Sequence, residues 1–140
     1  MQVAGIAATF VWLGMVLAIS FLEAPLKFRA PGVTLQIGLG IGRLVFRALN
    51  VCEALLAVTV IVAVWAGGAS TLGVAAAAVA VVMLAVQIVA VRPALTRRSD
   101  QVLAGAEGPR SHAHLVYVGL EIVKVIALAT AGVALAATAS

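Results

Sequence analysis

The chain has 140 residues, 64% of them hydrophobic and 10% charged, with a formal net charge of +4 and a mean hydropathy of +1.21. That hydropathy excludes a soluble globular domain. A basic balance would suggest nucleic acid in a soluble protein, but no aromatic interleaving or recognition helix accompanies it, and Lys or Arg beside a membrane attracts anionic lipid headgroups by the same Coulomb force.

A spanning helix needs about 20 mostly apolar residues, so this length accommodates four spans and short links. The first, over about residues 3–25, contains "VAGIAATFVWLGMVLAISFL" without a charge. No basic run precedes it, so it is expected to be a retained span and not a cleaved secretory signal. Pro25, Pro31 and Gly32 in "EAPLKFRAPG" are expected to end it and delay the next helix. The second span, 38–66, carries Arg43, Arg47, Asn50 and Glu53. The third, 71–92, is interrupted only by Gln87. The link "VRPALTRRSDQVLAGAEGPRS" has room for a short surface helix over Thr96–Ala104, and it offers Ser111 as an N-cap for the fourth span, 111–137. That span carries His114, Tyr117, Glu121 and Lys124. The expected fold is all-α: a single polytopic domain over 1–140, built as a four-helix antiparallel transmembrane bundle.

Lys27 and Arg29 lie in the first link, and Arg92, Arg97, Arg98 and Arg110 in the third, whereas the turn "AGGAS" and both terminal segments have no charged side chain. The positive-inside rule puts both basic links in the cytoplasm and both termini outside. Seven Arg against two Lys in an Ala-, Val- and Gly-rich chain is typical of GC-rich bacteria, so the expected compartment is a bacterial inner membrane. Cys52 is the only cysteine, so it forms no intrachain disulfide or thiolate cluster and reads as a packing residue.

At 100° per residue, His114, Tyr117, Glu121 and Lys124 fall within an arc of about 80°, and Arg43, Arg47, Asn50 and Glu53 within about 120°. Measured from the outer ends of their helices, Glu53 and Lys124 lie at similar depth and are expected to pair; Gln87 reaches the same level. An ionised side chain at the bilayer centre costs at least about 2.5 kcal/mol, so the two stripes should face each other across the bundle interior. Glu23 and Lys27 would lie at the cytoplasmic mouth. The same charges would also serve as ion pairs that only fix helix register. Written one above the other, "FRALNVCEALLAV" and "HLVYVGLEIVKVI" align Glu53 with Glu121, as in a duplicated pair of helices.

No metal or cofactor is expected. The Glu-x-x-His spacing of bundle metal sites is missing, and Arg43, Arg47 and Lys124 would repel a cation. "GLGIG" lacks the strand of a dinucleotide fingerprint, and Gly38 and Gly42 read as a close helix contact.

Gly14 and Phe21, Pro25 and Phe28 of "FLEAPLKF", Gly42 and Phe46, the "RP" of Arg92 and Pro93, and His114 together resemble the transmembrane protein 205-like family of small four-helix membrane proteins. The resemblance implies a fold and a compartment more than a reaction, with an association with metal-drug tolerance in the family's animal members. Glu53 and Lys124 do not belong to that pattern.

The expected function is binding or transport of a small anionic or zwitterionic solute, or a lipid headgroup, in a cytoplasm-facing polar chamber. Arg43, Arg47 and Lys124 would hold the negative charge, Asn50 and Tyr117 would orient the ligand, and Glu53 and Glu121 would neutralise the empty site or take protons. His114 completes the stripe. The alternatives are a membrane-embedded enzyme with His114 and Glu121 as acid and base, and a non-catalytic subunit of a larger complex. Expected partners are anionic membrane lipids and a second copy or larger membrane protein, not nucleic acid.

Overall fold

A computed structural model describes residues 1–105 and 112–139. Arg110 and the Ser111 cap lie outside the described residues. The described chain is all-helical, with α1 over Gln2–Arg29, α2 over Leu35–Trp65, α3 over Thr71–Leu103 and α4 over His112–Ala139. All four are long and apolar enough to cross a membrane. Thr34 caps α2 by accepting from the Ile37 N–H at 3.1 Å, and Ser70 caps α3 by accepting from the Gly73 N–H at 3.1 Å. Gly67 and Gly68, with φ of 100° and 89°, supply the left-handed turn between α2 and α3.

Pro31 and Gly32 lie in the break between α1 and α2, as expected, but Pro25 and Pro93 do not end their helices. Pro25 and Pro93 each lack an N–H, and each ring would clash with the carbonyl four residues back, Phe21 or Val89. Both helices open into a π-helical stretch at that place, Leu17–Glu23 in α1 and Gln87–Val91 in α3, and then continue. The Ala24 N–H donates to the Ile19 carbonyl and the Arg92 N–H to the Gln87 carbonyl, the five-residue closure of a π turn. α1 therefore runs past residue 25 to Arg29, and the expected surface helix over Thr96–Ala104 is the continuation of α3.

The π stretches recur at matching places in the two halves of the chain. Pro25 stands as far before Glu53 as Pro93 stands before Glu121, and in this register several buried positions coincide, among them Gly5 with Gly73, Ala8 with Ala76, Trp12 with Ala80, Val16 with Leu84, Val60 with Leu128 and Ala63 with Ala131. The repeated unit is a pair of helices, α1 with α2 and α3 with α4.

α1 packs along α2 and α4, and α4 along α1 and α3, while α2 and α3 touch more sparsely. Lipid tails are as apolar as Leu, so close packing of small residues has to hold such helices together. Ala8, Ala76, Ala77, Ala80 and Ala131 provide it around Trp12, Val16, Leu84 and Leu128. A Cβ on Gly5 would stand 2.7 Å from Ala63 Cβ, so α1 and α2 approach more closely there than any larger residue allows. Gly38 and Gly42 do not form a contact between two bare helix backbones. The Phe28 ring rests on Gly38, and a Cβ on Gly42 would stand 2.8 Å from Lys27 Nζ. The outer surface is hydrocarbon, with Leu44, Leu55, Val58, Leu115, Ile126 and Val133 all exposed, as lipid contact requires.

Candidate functional site

Lys124 is fully buried at the centre of the bundle, and its ammonium has three oxygen acceptors. Glu53 Oε1 lies at 2.5 Å, Glu121 Oε1 at 2.6 Å and Gln87 Oε1 at 2.7 Å. These match its three N–H donors, so no bonding capacity is left over. Sequence depth suggested that Glu53 and Lys124 would pair. The lysine is in fact shared between two carboxylates, since Glu121 lies one turn before it on α4.

Each carboxylate is held by further donors. Trp12 Nε1 donates to Glu53 Oε1 at 2.8 Å, Gln87 Nε2 to Glu121 Oε1 at 3.1 Å, and Ser20 Oγ to Glu121 Oε2 at 2.6 Å. All four helices thus contribute to one network. Glu53, Gln87, Glu121 and Lys124 are each at most 1% exposed. Burying charge to this degree costs several kcal/mol per ion, which only dense pairing of this kind offsets.

A second layer lies on the side toward the basic ends of the helices. Asn50 fits both neighbours in one amide orientation: its nitrogen donates to Glu53 Oε2 at 3.2 Å, and its oxygen accepts from Arg92 Nε at 3.2 Å. The Arg92 guanidinium carbon stands 5.2 Å from the Phe46 ring centroid and 4.8 Å from that of Tyr117, whose rings meet edge to face. Such stacking holds the planar guanidinium and leaves only its edge for other partners. Among the described residues, Arg92 Nη2, Tyr117 Oη, Glu23 Oε2 and Ser99 Oγ are buried without a well-formed hydrogen bond, and the Tyr117 hydroxyl has the Glu121 carboxylate as its neighbour one turn along α4. Buried polar atoms left unpaired are uncommon and costly. The π turn explains why Arg92 is here: closure from Gln87 to Arg92 stacks the arginine over the glutamine, whereas five residues of α-helix would turn it about 140° away.

The remaining sequence candidates are distributed as follows. Glu23 and Lys27 form a pair at 3.9 Å, with Lys27 also over the Phe28 and Phe46 rings. Arg43 leaves the interior to bond Asp100 at 2.8 Å, and Arg47 is exposed. Glu53 points inward, and 100° per residue then turns Arg47 about 120° away from it. His114 is half-buried. It lies two turns, about 10 Å, from Glu121 along α4, so the two are not adjacent as an acid and base on one reacting atom would be. Sequence reasoning left out Trp12, Ser20 and Arg92. The signals were an isolated hydroxyl and an indole N–H in an otherwise apolar run, and a cation directly before a proline.

No protein-family model, curated protein or solved structure matches the chain.

Proposed function

We propose that the chain binds or transports a small anionic or zwitterionic solute, or a lipid headgroup. It would do so as an antiparallel four-helix protein of a bacterial inner membrane, with both termini outside and the Arg92 layer opening toward the cytoplasm. The observation that supports this most is the buried, unpaired donor Arg92 Nη2, which shares an aromatic stack with the Tyr117 hydroxyl. An anion would satisfy both. Glu23 Oε2, also buried without a hydrogen bond, would receive the ammonium of a zwitterion. Arg43, Arg47 and Lys27 near the mouth would raise the local anion concentration. Lys124 is saturated by its own acceptors, so its role would be to hold the carboxylates and not the ligand.

The test is calorimetric titration of the full chain in detergent with acetate, then repeated with phosphatidylglycerol present. Saturable binding of one acetate per chain is expected, and competition by the lipid would identify a headgroup as the natural occupant. Titrations without a saturable component would overturn the proposal.

A further inference from the structure

We infer that the site takes its anion together with one proton, that the fitting ligand is a small monocarboxylate, and that Glu121 is the residue that receives the proton. This rests on the ligand reading above.

The first part follows from charge. The interior holds two carboxylates, Glu53 and Glu121, and the cation Lys124, and the half-buried Arg92 at its edge supplies the second positive charge, joined through Asn50. Glu23 and Lys27 pair separately nearer the mouth. The core is therefore neutral when empty. An anion placed on Arg92 would leave one negative charge uncompensated in a low-dielectric interior, a cost of several kcal/mol. Protonation of one carboxylate removes it.

The hydrogen-bond inventory decides which carboxylate. Every partner of Glu53 can only donate: the Lys124 ammonium, the Trp12 indole and the Asn50 amide nitrogen, whose orientation is fixed because its oxygen accepts from Arg92. A proton on Glu53 would face donors alone. Glu121 Oε2 meets a hydroxyl instead, Ser20 Oγ at 2.6 Å, and a hydroxyl can reverse from donor to acceptor. A proton arriving from cytoplasmic water would sit on Glu121 Oε2, donate to Ser20 Oγ, and turn the serine hydroxyl toward a backbone carbonyl of its own helix. Glu121 Oε1 would keep its bonds from Lys124 and Gln87. Lys124 cannot supply the proton, because a neutral amine would present a lone pair to one of three acceptors. The charged and titratable groups around Glu121 are thus Lys124 and Tyr117 on α4, Glu53 on α2 and Arg92 on α3, with Ser20 as its contact on α1.

The ligand class follows from the same count. One guanidinium edge and one phenol offer a single positive charge and two donors between aromatic walls, which suits a carboxylate and leaves a phosphate dianion short of a charge.

The test is acetate titration of the full chain in two buffers of different ionisation enthalpy, which gives the protons taken up per acetate bound. About one is expected, with affinity weakening as the pH is raised, because each acetate bound takes up a proton. Glu121→Gln, whose amide oxygen keeps an acceptor for Lys124 and whose amide nitrogen donates to Ser20 Oγ as the protonated acid would, should bind acetate with no proton uptake and a pH-independent affinity. Its thermal transition reports that the fold is retained. Acetate bound by the unaltered chain without proton uptake would overturn the coupling and leave the ligand reading standing; no acetate binding at all would remove both. Proton uptake persisting in Glu121→Gln would overturn the assignment to Glu121.

Discussion

Lys124→Leu is expected to lower stability by about 3–5 kcal/mol, the largest single effect in the protein. The ammonium is the common donor to Glu53 and Glu121 at 2.5 and 2.6 Å, and without it two buried carboxylates and the Gln87 oxygen lose their shared partner, and one carboxylate is left without a balancing cation. Adding Glu53→Leu should restore much of the loss, because Glu121 then keeps Ser20 and Gln87 as donors and is balanced by Arg92. Chemical unfolding of both variants in detergent micelles measures this directly. If the losses add, the lysine and the glutamate are energetically independent.

Arg92→Gln is expected to cost about 2–4 kcal/mol, since it removes the cation that balances the second carboxylate and leaves the Phe46 and Tyr117 rings without the stacked guanidinium. Combining it with Glu121→Gln returns the core to neutrality, with Glu53 and Lys124 still paired, and should recover most of that loss. Recovery with Glu121→Gln but little with a distant surface carboxylate change such as Asp100→Asn would assign the effect to charge balance in the interior. Equal recovery by both would assign it to net charge alone.

Four spans, a polar stripe on the second and another on the fourth could be read from the sequence, because apolar run length and 100° periodicity report directly on helices in lipid. The common depth of Glu53 and Lys124 could be read the same way. The rest depends on geometry that periodicity does not carry. A proline in a spanning helix reads as its end in sequence, yet Pro25 and Pro93 are accommodated by π turns, and the second of these turns Arg92 toward the interior. Arg43 and Arg47 share an arc with Asn50 and Glu53, but an arc of about 120° is too wide for all its members to face inward once Glu53 does. Trp12 and Ser20 are conspicuous only once α1 is known to pack along α2 and α4.

The central claim is that Arg92 and Tyr117 form a ligand site supported by the carboxylate–lysine network, and not only a device that fixes helix register. The decisive measurement is acetate binding by the charge-balanced double variant Arg92→Gln with Glu121→Gln, compared with the single variant Glu121→Gln. Both should be folded, and only the single variant retains the guanidinium edge. Saturable binding by Glu121→Gln and none by the double variant is the predicted result; equal affinity in the two would contradict the site.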